Sequence, residues 1–127
     1  MEETLVALLL NAQPVSILVG KRVYWLEREQ GSAFPAVVLH RISGGRDYHM
    51  QGPSGLVQSR IQIDCWALKY SDAMKVSRAV RGVLSGYSEG DLQGAFIESE
   101  RQSVEKETDG AQRYHRVSLD FMIWHAE

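Results

Sequence analysis

The chain has 127 residues, of which 44% are hydrophobic and 24% charged. That is the size and balance of one self-sufficient domain with a buried core, far from disordered or collagen-like compositions. A formal net charge of −2 supplies no bulk positive field for phosphate backbones, and the single cysteine, Cys65, excludes both an intrachain disulfide and a zinc site built on several thiolates.

The opening MEETLVALLL carries acids where a secretory leader carries bases, and its apolar run is too short to span a bilayer, so neither export nor membrane insertion is expected. Leu5, Leu8 and Leu9 share a helical face behind Glu2 and Glu3, which favour the positive end of a helix dipole, predicting a short helix that ends between Asn11 and Pro14. Val15 to Val19 can add a helical turn before Gly20. The β-branched and aromatic run Arg22 to Leu26 then reads as a strand. A loop over Glu27 to Ala33 leads through Phe34-Pro35 into a strand from Ala36 to Ser43. Gly44-Gly45 predicts a turn, Asp47 to Gln51 a return strand, and Gly52 to Gly55 a second break.

The clearest strand is Leu56 to Ala67. Val57, Ile61, Ile63 and Cys65 fall on one face, with Gln58, Arg60, Gln62, Asp64 and Trp66 on the other, so one side meets the core and the other is polar. With Ser71 as N-cap, Ala73, Val76, Val80, Val83 and Leu84 recur at helical spacing as far as Gly86, predicting one long helix over about 71–86. Two alternating strands, about Gln93 to Gln102 and Tyr114 to His125, flank a polar loop from Ser103 to Gln112. The expected architecture is α+β: an antiparallel sheet of about four to six strands, the long helix packed on one face, and a short N-terminal helix.

Little in the chain points to catalysis. The four histidines, His40, His49, His115 and His125, never fall at the i, i+4 spacing of a helical metal pair, and they read as surface or half-buried residues. Cys65 lies on the apolar face of its strand, where a thiol is a small buried hydrophobe. The glycine clusters lack the strand-to-helix context and the lysine of a phosphate loop, and Glu98, Glu100, Glu105 and Glu107 read as a solvated acidic patch. No cofactor or metal is implied. Trp66, Met122 and Trp124 stand out instead: they lie on nominally outward positions, where interfaces keep aromatic anchors, unless helices cover the sheet on both sides.

Several ordered blocks resemble the tail-completion (tail terminator, head-to-tail joining) family of long-tailed bacteriophages and phage-like particles. They are Val19-Gly20-Lys21-Arg22-Val23-Tyr24, Phe34 to Gly44, Arg60-Ile61-Gln62-Ile63-Asp64-Cys65-Trp66-Ala67, the helix from Tyr70 to Gly86, and Tyr114 to Trp124. The polar stretches 41–55 and 101–113 depart from the pattern. The resemblance implies a non-enzymatic virion protein, assembled in the host cytoplasm. It would be a homo-oligomeric ring, usually a hexamer, that caps the head-proximal end of the tail tube and stops its polymerisation. Its partners would be the major tail tube protein and the head-completion or connector (stopper) protein, with DNA passing through the lumen without specific binding. The residues expected at such contacts are Arg46, Tyr48, Met50, Arg60, Trp66, Met122 and Trp124, with the loops 43–55 and 101–113 reaching partners.

Two other readings compete. A single-strand nucleic-acid module would stack bases on Tyr24, Trp25, Trp66 and Trp124 beside Arg41, Arg46 and Arg60, but it lacks the basic excess. A small-ligand protein needs a pocket of convergent polar groups, which no motif nominates.

Overall fold

The computed structural model describes residues 2–27, 33–43, 56–90, 92–106 and 113–126. Within these residues three helices, α1 (Glu2–Asn11), α2 (Gln13–Val19) and α3 (Tyr70–Leu84), accompany five strands: β1 (Val23–Trp25), β2 (Ala36–Ser43), β3 (Leu56–Ala67), β4 (Leu92–Lys106) and β5 (Arg113–Ala126). The strands form one sheet in the order β1-β2-β3-β5-β4. This is a mixed α+β fold.

The N-terminal segment is two helices rather than one. Pro14 sits in the first turn of α2, where its missing N–H is no loss, and α1 meets α2 at 82°. Each buries an i, i+4 pair, Leu5 and Leu9 on α1 and Val15 and Val19 on α2. Gly20, at φ +61°, then takes the left-handed turn that ends α2. Among the described residues no helix is long and apolar enough to cross a membrane.

The expected long helix is shorter than predicted, 15 residues ending at Leu84 rather than near Gly86. Ser71 is not its cap: the helix begins at Tyr70 with Lys69 at the cap position and no side-chain capping bond. Gly86, at φ +77°, follows the helix end and donates its N–H to the Ala95 carbonyl, 2.8 Å away.

Nor is the sheet purely antiparallel. β1 pairs parallel to β2, with Val23 opposite Val37 and Trp25 opposite Leu39, while the remaining three pairings are antiparallel. β4 extends to Lys106, beyond the predicted Gln102, because its ladder with β5 continues to Arg113. The predicted return strand Asp47 to Gln51 and the rest of 44–55 lie outside the described residues.

Register fixes which side chains share a face. Val37, Leu39, Ile61, Ile63, Cys65, Leu119, Phe121 and Ile123 point to one side, where they pack with Leu5, Leu9, Val15, Val19, Ala73, Val76, Val80 and Leu84 from the helices. All three helices therefore cover the same face. Cys65 is fully buried there, and burial pushes its thiol pKa up, away from any nucleophilic form. His125 also falls on this side, buried and hydrogen-bonded to Ser59 at 2.8 Å, deeper than the surface or half-buried placement expected of it.

Candidate interaction surface

Among the described residues, the opposite face of the sheet carries no helix. Cross-strand pairing arranges its side chains in rows. Trp66 lies beside Ala36 and Arg116, Asp64 beside Val38 and Ser118, Gln62 beside His40 and Asp120, Arg60 beside Met122, and Gln58 beside Trp124. On β4, Phe96 pairs with Met122 and Gly94 with Trp124.

The middle rows form a connected polar network. Asp64 accepts from Ser118 Oγ at 2.6 Å and Gln62 Nε2 at 2.9 Å, and its other oxygen lies 3.1 Å from His40 Nε2. Arg101 bridges to Gln62 Oε1 at 3.3 Å and donates to Asp120 at 2.6 Å, which also accepts from Ser99 at 2.8 Å. Burial opposes ionisation of Asp120, but the bonds from Arg101 and Ser99 outweigh it and hold its pKa below the usual carboxylate value. Read from sequence as solvent-facing, Asp64 is only 2% exposed, because side chains from three strands close over it. Its burial is tolerable because its oxygens are bonded.

Apolar bands bracket this polar centre. At one end Trp66 stacks against Arg116, whose guanidinium carbon is 5.1 Å from the ring centroid, and Arg116 is held by Glu105 at 2.9 Å and Ser103 at 3.2 Å. Phe34 and Tyr114, 5.0 Å apart between ring centroids, join Trp66 and Glu105 around a hollow of about 260 Å³. At the other end lie Met122, Trp124 and Phe96, with Phe96 54% exposed. Arg60 sits between centre and band, paired with Glu98 at 2.9 Å, its Nε buried without a hydrogen-bond partner.

Of the contact residues expected from sequence, Arg60, Trp66, Met122 and Trp124 share this face, and Arg46, Tyr48 and Met50 lie outside the described residues. The glutamates are not a free acidic patch: Glu98, Glu100 and Glu105 each meet an arginine (Arg60, Arg81, Arg116), and Glu107 lies outside the described residues. Sequence reasoning missed His40, Ser118, Asp120 and Arg101, whose only signal was their alternation parity. Of the arginines a nucleic-acid module would need, Arg41 pairs with Glu2 and Arg60 with Glu98, while Arg46 lies outside the described residues. No group of three or more metal-ligating side chains occurs among the described residues.

A face of apolar bands around a hydrogen-bonded polar centre suits protein contact. Over residues 3–126 the chain matches the family model described as tail completion protein gp17, which makes it a structural protein of the phage tail and not an enzyme. The chain belongs to that family. Among solved structures, a chain from the virion of a native gene transfer agent particle superposes with a TM-score of 0.68 at 21% identity. The match covers 97% of this chain and 92% of that one, and the two share a fold. No curated protein matches.

Proposed function

We propose that this protein, as one domain, closes into a homo-oligomeric ring, a hexamer, at the head-proximal end of the tail tube. There it ends tube polymerisation and forms the joint to the head connector. The observation that carries the reading is the family match over 3–126. The banded face supports it, since aromatic and apolar side chains around a paired polar centre are the kind of anchors that protein interfaces use. Arg60, Trp66, Met122 and Trp124 are the contact residues of choice on it. DNA would pass such a ring without being held, because the arginines of this face are already neutralised by Glu98, Glu105 and Asp120.

The test is particle mass by light scattering and shape by negative-stain imaging, for the protein alone and mixed with the tail tube subunit from the same genome. A ring, free or only at tube ends, is the expected outcome. A monomer that ignores tube ends refutes the proposal.

A further inference from the structure

The two lateral edges of the sheet differ in a way that makes one fit the other. Beside β1, α1 and Trp25 enclose an open hollow of about 510 Å³, lined by Val6, Ala7, Leu10 and Trp25 and rimmed by Glu2 and Glu3. Glu2 is engaged by Arg41, whereas Glu3 is exposed and has no ion pair among the described residues. The hollow opens on the helix side, since Trp25 stands opposite Leu39 in the core-facing row.

At the far edge, β4 and the flank of α3 present the converse. Tyr70, Met74, Arg78 and Arg81 recur on one side of α3, toward β4. The Tyr70 hydroxyl donates to Gln102 at 3.2 Å, Gln102 in turn reaches the Met74 sulfur at 3.6 Å, and Arg81 pairs with Glu100 at 3.1 Å. Arg78 on this flank is exposed and has no ion pair among the described residues. Tyr70 and Val104 are 48% and 53% exposed, two bulky side chains left standing at a strand edge. Val104 pairs with His115, which faces Ala67 of the core, so this surface too is on the helix side.

We propose that copies of the chain join head to tail by seating the Tyr70–Val104 flank of one in the α1–Trp25 hollow of the next, with Arg78 of the first facing Glu3 of the second. This rests on the ring reading and supplies its lateral contact. The two surfaces are not self-complementary: a two-fold dimer would set hollow against hollow and acid against acid. Their placement on opposite edges, on the same side of the sheet, is that of a heterologous contact that repeats until it closes. It also covers the outer edge of β4, 15 residues long and without a strand partner on that side among the described residues.

The test uses the full chain with the tube subunit, comparing the parent with Glu3→Arg, Arg78→Glu and the double variant. Both sites are exposed, and circular dichroism with thermal unfolding checks that each variant stays folded. Like charges brought face to face should weaken assembly by about ten-fold or more in each single variant, and the double exchange should recover most of it. Independently, Ala7→Cys combined with Val104→Cys should give, under mild oxidation, a ladder of cross-linked species ending at the ring's copy number. The buried Cys65 does not compete. A parent ring that is indifferent to all three charge variants and gives no ladder overturns this contact and leaves the ring standing. A parent that forms no ring even on tube ends overturns both.

Discussion

Replacing Asp64 with alanine tests whether the uncovered face is held together by its own polar network. The carboxylate is 2% exposed and takes hydrogen bonds from Ser118 and Gln62, at 2.6 and 2.9 Å, with His40 at 3.1 Å. Truncation removes all three at once and leaves the buried Ser118 hydroxyl and the half-buried Gln62 amide short of an acceptor. With each charge-assisted bond contributing roughly 1.5 kcal/mol and the stranded donors adding their desolvation cost, the loss should be about 3–5 kcal/mol. That is a large share of the roughly 5–15 kcal/mol that holds a domain together. In a chain of this size it corresponds to about 10–20 °C in Tm. Asp64→Asn keeps the shape and one acceptor oxygen, so it should cost about half as much. The assay is urea unfolding followed by tryptophan fluorescence, since Trp66 and Trp124 lie on the same face and report its opening. A loss under about 1 kcal/mol for the alanine variant would mean the site is wet and the network ornamental.

Other consequences can be checked alongside. The depressed pKa of Asp120 means its contribution is fully present above the ordinary aspartate value of 3.8 and is lost as pH falls through its lower folded value; Asp120→Asn should therefore flatten the stability profile on the acid side, measured as Tm between about pH 5 and pH 2. Gly86→Ala forces a side chain into φ +77° where nothing crowds it, so it should cost about 1 kcal/mol of backbone strain in equilibrium unfolding, without perturbing packing. Trp66→Leu gives up the Arg116 stacking, about 0.5–1 kcal/mol of fold stability. The same variant should weaken ring formation several-fold in light scattering, and the opposite ranking would remove Trp66 from the contact.

What could be read ahead of the structure was what is periodic. Val57, Ile61, Ile63 and Cys65 alternate strictly, and they face the core as that alternation requires. The spacing of Ala73, Val76, Val80 and Leu84 likewise marked the buried side of α3. What could not be read depends on partners distant in sequence. Asp64 looked solvent-facing because its parity is polar, and only the register that brings Ser118 and His40 alongside encloses it. Arg60 meets Glu98, and Arg116 meets Glu105, across strand pairings that no local pattern encodes. The parallel direction of β1 was equally hidden, since three residues carry no signal of orientation. Ser71 misled for a different reason: a good capping side chain is only a preference, and the helix took its first turn from Tyr70 instead.

The confinement of all three helices to one side of the sheet has a consequence for how such a protein can change over generations. Along the middle of β3 and β5, Ile61, Ile63, Cys65, Val117, Leu119, Phe121 and Ile123 belong to the core, and the even positions between them to the outer face. A substitution at a half-buried outer position such as Gln58, Trp66, Met122 or Trp124 alters what the face offers without reaching the packing beneath it, whereas Asp64 and Ser118, buried in the polar network, lack that freedom. The scaffold and the chemistry of the outer face are thus separable, and the scaffold is shared with a chain only 21% identical.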